Sequence, residues 1–141
     1  MHITIRSMIA VILLAGSMTS AMVQAHGGGE VQLVDVSTLK PLGEKILDEN
    51  PYRGDKEAIR IGASAYNQNC ARCHGLEAIS GGFTPDLREM DIDKENDKIF
   101  MSVTLHGAAR NGKVYMQPFQ GTLSQEAIWA IRSYVDAQPR K

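Results

Sequence analysis

Apolar residues recur at helical spacing in three stretches of this chain, separated by long irregular ones. Behind Asp55, the positions Ile59, Gly62, Ala63 and Tyr66 fall on one face and predict a helix running to about Cys70, with Asp55 as its cap. Gly62 weakens that helix intrinsically, which is tolerable where a second helix crosses it closely. Asp97 to His106 predicts a middle helix that buries Ile99, Phe100, Val103 and Leu105 and stops at Gly107. Ser124 to Ala137 predicts a last helix, with Ala127, Ile128, Ile131, Tyr134 and Val135 as its apolar face. Thr122 or Ser124 caps it, and Gln125 stands at capping-box distance from Thr122. Trp129 lies off the centre of that stripe, so it is either partly exposed or packed under the N-terminal arm. Residues 75–87, with Ser80-Gly81-Gly82 and Thr84-Pro85-Asp86, and residues 107–121, with Met116-Gln117-Pro118-Phe119, read as loops. No repeat is present.

The first 25 residues follow another pattern. Arg6 precedes the apolar run Met8 to Ala15, and Val23-Gln24-Ala25 supplies small residues of the kind a signal peptidase cleaves. The apolar run is too short to span a bilayer, so a cleaved secretory signal is preferred to a retained anchor, and a periplasmic protein without stable membrane insertion is expected. The chain then divides into the signal (1–25), an arm (26–55) and a helical domain (56–141). In the arm, His26-Gly27-Gly28-Gly29 is expected to be flexible, Val31, Leu33, Val34 and Val36 suit a short extended piece, and Asn50 to Asp55 reads as turns. A phosphate-binding glycine loop lacks its strand–helix setting.

Charge narrows the function. The chain has 15 Lys and Arg against 16 Asp and Glu. Loss of Arg6 with the signal leaves about −2. No basic run suits nucleic acid.

The chemistry centres on Cys70-Ala71-Arg72-Cys73-His74, the C-x-x-C-H signature of c-type haem attachment. Two thiols three positions apart reach the two vinyl groups on one porphyrin edge, and the next side chain offers an imidazole to the iron. A thioredoxin-like pair needs a βαβ context that is missing. Structural zinc needs four Cys or His ligands, and no second cysteine pair exists. A disulfide here closes a very short loop and constrains little. The loop after His74 is placed so that one of its carbonyls can accept the second imidazole N–H.

A sixth ligand is sought among Met90, Met101 and Met116. Met101 sits among apolar helical neighbours and reads as core. Met90 follows Pro85 too closely to reach the opposite haem face. Met116, in a Gly- and Pro-bounded loop 42 residues after His74, has enough chain to do so. His106 is the rival, although a lone histidine at a helix end more often complements the dipole. A thioether raises the potential relative to a second imidazole and closes the sixth position, which leaves one-electron transfer as the chemistry. The alternating Asp91, Asp93, Glu95 and Asp97 resemble a calcium loop, but Asn96 and Ser102 stand where that motif needs glycine and glutamate. A solvated acidic loop opening a helix is the better reading.

The run Tyr66 to Gly75, then Pro85-Asp86-Leu87, Met116 to Phe119, and Leu123-Ser124 leading to Trp129 and Tyr134 resembles a class I cytochrome c over residues 56–137. The resemblance implies an all-α fold of three or more helices round one covalently bound haem c and its iron. It further implies thioether bonds at Cys70 and Cys73, axial ligation by His74 and Met116, and acceptance of the His74 N–H by the Pro85 carbonyl. It also implies that the first and last helices cross with Gly62 and Tyr66 near Ile131 and Tyr134. Many members have Met-Pro where this chain has Met-Gln-Pro. The arm with Asn50-Pro51-Tyr52-Arg53-Gly54, the Ser80-Gly81-Gly82 and Pro85 to Arg88 runs, and Arg110 to Met116 are similar to the periplasmic cytochromes that accept electrons from quinoprotein alcohol dehydrogenases using pyrroloquinoline quinone. An electron carrier, not an enzyme, between such a donor and a terminal oxidase or further cytochrome is therefore expected. The alternatives are another donor, such as a bc1-type complex, or a haem sensor or enzyme with an open sixth position.

Overall fold

The structure is a computed structural model and describes residues 31–140. The signal sequence and the glycine run at 27–29 lie outside the described residues. Helix α1 spans Lys56–Asn69, a helical turn α2 spans Ala71–His74, α3 spans Lys94–His106 and α4 spans Gln125–Asp136. Between α3 and α4 stands a hairpin of β1 (Ala108–Arg110) and β2 (Lys113–Met116), where the sequence pattern predicts loop alone. The overlooked signal is Asn111-Gly112. Both have positive φ, 51° and 74°, which is the two-residue turn that matches the twist of a hairpin.

Local chemistry sets each helix end. The Asp55 carboxylate accepts from the Glu57 and Ala58 N–H groups, Asp93 from Asn96 N, and Ser124 from Ala127 N, which satisfies donors that a helix start leaves open. Ser124 is thus the cap of α4. No capping box forms, because Gln125 turns to the arm: its amide donates to the carbonyls of Gly43 and Lys45, and its oxygen accepts from Leu47 N.

Helices α1 and α4 cross at backbone contact. A Cβ on Gly62 would lie 1.9 Å from the Ala130 carbonyl oxygen. One turn on, the Tyr66 and Tyr134 rings stack at 5.2 Å with 45° between planes. The buried face of α1 is Ala58, Ile61, Gly62, Ala65 and Tyr66, rotated by about one residue from the predicted one, so that Ile59 and Ala63 are only half-buried. The close crossing sets this rotation, since Gly62 must point at α4.

The arm is part of the core. Leu39 and Tyr52 are buried in it, and Tyr52 Oη donates to the Lys40 carbonyl. Val31 to Val36 form no strand, and Leu33 is exposed. Trp129 is fully buried. Its neighbours one turn either way, Gln125 and Ser133, both bond the arm, so Trp129 lies on the face that the arm covers. Its indole N–H has no partner among the described residues.

A buried ion network joins arm, α3 and α4. The Arg132 Nε lies 3.0 Å from Asp97 Oδ1 and 3.2 Å from Asp136 Oδ1, and both Arg132 and Asp97 are inaccessible. Arg53 donates to Asp97 and, at 2.6 Å, to Asp136. Asn50 N donates to Asp97 Oδ2 at 2.8 Å, and Arg132 Nη2 to the Asp91 carbonyl at 2.6 Å. Burial lifts the Asp136 carboxyl above its ordinary value, against the pull of Arg132 and Arg53. Three of the four acidic residues are used structurally, while Glu95 is exposed: Asp93 caps α3, Asp97 sits in this network, and Asp91 pairs with Arg140.

Two outcomes test these contacts. Gly62→Ala should lower unfolding free energy in urea by about 3 kcal/mol, because backbone cannot yield as a side chain would. The Glu57 carboxyl is held at about 2, below its ordinary 4.5, first by its bonds from Arg60 and then by Thr38 of the arm. A depressed carboxyl stabilises the fold above its unfolded value and loses that contribution as pH falls through the folded one. Wild type should therefore lose its stability advantage over Glu57→Gln between about pH 4.5 and pH 2 in acid titration of the unfolding midpoint.

Candidate haem-binding site

Helix α1 ends at Asn69, and Cys70, with φ −120°, breaks the helix before the turn α2 carries Cys73 and His74. The predicted helix thus reaches the motif with a kink. Cys70 is half-buried and Cys73 exposed. Burial, and after it the neighbouring Cys73, push the Cys70 thiol up to about 12. The Tyr66 hydroxyl donates to the Gly75 carbonyl at 2.9 Å, which ties the end of the motif back to the helix crossing.

The next loop folds over α2. Thr84 Oγ1 donates to the Cys73 carbonyl at 2.8 Å, and Ser80 Oγ donates to the Thr84 carbonyl. This places the Pro85 carbonyl 3.3 Å from His74 Nδ1. An imidazole whose Nδ1–H is taken by a carbonyl presents Nε2 as its free lone pair, the tautomer that a metal ligand needs.

Met116 ends β2, half-buried against the core cluster. The chain after it is hung from α3. The Phe119 and Gln120 N–H groups donate to the Thr104 and Leu105 carbonyls at 3.0 and 3.1 Å, satisfying acceptors that the helix end leaves open. Gly107, with φ 73°, makes room: a Cβ there would lie 2.5 Å from the Met116 carbonyl oxygen and 2.9 Å from Pro118 N.

The other candidates are placed elsewhere. Met101 is buried in the core. The Met90 sulfur lies 3.8 Å from Arg132 Nη1. His106 is exposed, and its Nδ1 lies 2.9 Å from the Ser102 carbonyl one turn back, as a histidine at a helix C-terminus does. Among the described residues no group of three or more His, Cys, Asp or Glu is arranged so that it could hold a metal ion by itself.

Paired thiols, a carbonyl-oriented imidazole and a loop thioether form a donor set that fits an iron porphyrin. A second observation agrees. Ile99 and Val103 are 46% and 37% exposed, against the sequence expectation that they are buried. The buried face of α3 is Asp97, Phe100, Met101 and Thr104, which leaves Ile99 and Val103 as a separate apolar stripe one turn apart. Leu76 and Ile79, just after the motif, are exposed as well. Apolar surface of this kind suits a porphyrin face.

Residues 57–135 match the family described as cytochrome c oxidase, cbb3-type, subunit III. The chain is 49% identical over 130 residues to cytochrome c550 of Pseudomonas aeruginosa, covering 89% of this chain and 90% of that one. It is 32% identical over 81 residues to the quinohemoprotein alcohol dehydrogenase ADH-IIG of Pseudomonas putida, covering 57% of this chain but 11% of the dehydrogenase. Among solved structures it resembles cytochrome cL of Methylophaga aminisulfidivorans, at 27% identity and a TM-score of 0.52, over 70% of this chain and 72% of that one.

Gly107→Ala should displace residues 116–118. Its expected signature is a loss of about 2 kcal/mol in urea unfolding and faster tryptic cleavage after Arg110 and Lys113.

Proposed function

As the chain belongs to the cytochrome c family, as a class I member that carries one covalently attached haem c with its iron and transfers electrons, we propose which residues hold that group and which proteins exchange electrons with it. Cys70 and Cys73 would form the thioethers, and His74 and Met116 would supply the two protein ligands to the iron. The observation that carries this assignment is the contact of His74 Nδ1 with the Pro85 carbonyl. It fixes the ring and supports a free Nε2 directed away from the loop. When bound, the haem supplies a one-electron couple at its iron.

This chain's own residues do the rest. The Thr84 and Ser80 bonds hold the imidazole loop shut over α2. The Phe119 and Gln120 bonds hold the Met116 segment against α3. Ile99 and Val103 supply apolar surface that excludes water. With His74 and Met116 both held for the iron, no open position would be left there for a substrate, which suits a carrier and not a catalyst.

The donor is a quinoprotein alcohol dehydrogenase that uses pyrroloquinoline quinone, and the acceptor is a terminal oxidase or a further cytochrome. The similarity of this chain to a short part of a quinohemoprotein alcohol dehydrogenase supports such a donor, since that relative's name joins a quinone and a haem in one alcohol dehydrogenase. The protein works in the periplasm after cleavage near Ala25. No helix among the described residues is long and apolar enough to cross a membrane.

Met116→Ala should abolish the weak red-end absorption band of the ferric protein, lower its reduction potential, and let the ferrous protein bind carbon monoxide, which wild type should not. An unchanged band would remove Met116 from the iron. In a separate mixing experiment, reduced alcohol dehydrogenase should reduce the ferric protein much faster than it reduces an unrelated cytochrome. Equal rates would exclude this donor.

A further inference from the structure

The hairpin between α3 and α4 stands out from the helical core. Every residue from Ala108 to Tyr115 is exposed. Val114 and Tyr115 remain 64% and 63% accessible although they are strand residues of high apolar area. The register explains how Tyr115 comes to the surface. Ala108 pairs with Met116 and Ala109 with Val114, so Tyr115 is the extra residue of a bulge, a device that re-aims a side chain. Tyr115 then lines an open groove of 330 Å³ with Ala108, Ala109 and Arg110, and Lys113 Nζ lies 5.5 Å from the centre of its ring.

Charge sets this surface apart. From residue 98 to residue 125 the chain has Lys98, Arg110 and Lys113 and no Asp or Glu, in a molecule whose formal net charge is −1. Lys98 is matched by Asp48 at 3.8 Å. The other ion pairs of the described residues use Arg53, Arg60, Arg88, Arg132 and Arg140. Arg110 and Lys113 therefore have no carboxylate within ion-pair distance among the described residues. Two unmatched cations flanking a small apolar patch, on a hairpin whose second strand ends at Met116, make a contact surface adjacent to the proposed iron ligand.

We infer that the β1–β2 hairpin is the docking surface for a redox protein whose contact face carries carboxylates round a small apolar centre, with Ala108, Ala109 and Tyr115 in the middle and Arg110 and Lys113 at the rim. The inference rests on the electron-carrier reading above and names where that carrier is met. A patch this small suits a transient contact, and rim charges act chiefly on the rate of encounter and its salt dependence.

Ferrous holoprotein is oxidised by ferricyanide, one electron passing from the haem iron to the anion, and the rate is followed against ionic strength. For wild type the rate should fall as salt rises, despite the negative net charge, because the anion is drawn to the hairpin. In R110E/K113E the low-salt rate should drop about tenfold and the salt dependence reverse. Reduction of the ferric variant by reduced alcohol dehydrogenase should slow about tenfold at low salt and approach wild type at high salt. The absorption spectrum and reduction potential of the variant serve as controls. Should the reversal disturb them, R110Q/K113Q gives the same sign with a smaller change. A ferricyanide salt dependence indifferent to both pairs of substitutions overturns the inference. So does an unchanged rate with a dehydrogenase that reduces wild type. If the dehydrogenase fails to reduce wild type while ferricyanide still follows the hairpin charges, the donor is wrong and the docking surface stands.

Discussion

The approach of α1 to α4 at Gly62 is the constraint on which the remaining geometry depends. With the Ala130 carbonyl where a Cβ would otherwise stand, the two helices have one depth and one rotation available. That rotation brings the Tyr66 and Tyr134 rings together and turns the Tyr66 hydroxyl to the Gly75 carbonyl. The crossing therefore fixes the residues that follow α1, and these are the two cysteines and the histidine. A local loss of helix propensity at one glycine is offset by contact along both helices.

The proposed ligands share a design. Neither His74 nor Met116 depends on its own segment alone for position. The first is approached by a loop that bonds back to α2 through Thr84, and the second precedes a segment that bonds back to the last turn of α3. Loops pinned to helix ends combine the reach of irregular chain with the rigidity of regular structure. An electron carrier benefits from this, because its metal environment must change little between its two oxidation states.

Much of this was legible in the sequence, and the residues show why. Asp55, Ser124 and Gly107 mark helix ends by local chemistry alone, and C-x-x-C-H is a contiguous signature. What depends on distant partners was not legible. Arg132 has the look of a solvated helix charge, yet it is inaccessible, because Asp97, Asp136 and the Asp91 carbonyl meet it from three directions. Ile99 and Val103 carry a helical apolar pattern but lie outside the protein core, since periodicity reports that a face is apolar and not what covers it. Gln125 fits a capping box and serves the arm instead. The hairpin was readable from Asn111-Gly112, but the short alternating strands beside it were overshadowed by the methionine that follows.

The ion network has a bearing on where this molecule can be cut. Arg53 belongs to the arm, Asp97 to α3, and Arg132 and Asp136 to α4. Two guanidiniums and two carboxylates cancel only when all three parts are assembled. A fragment beginning at α1 would keep the haem motif and every helix, yet it would hold two buried carboxylates against one guanidinium, a deficit that an interior of low polarity tolerates badly. The smallest piece able to stand alone therefore starts upstream of Asn50, and the arm is bound to the helices by electroneutrality as much as by covalent continuity.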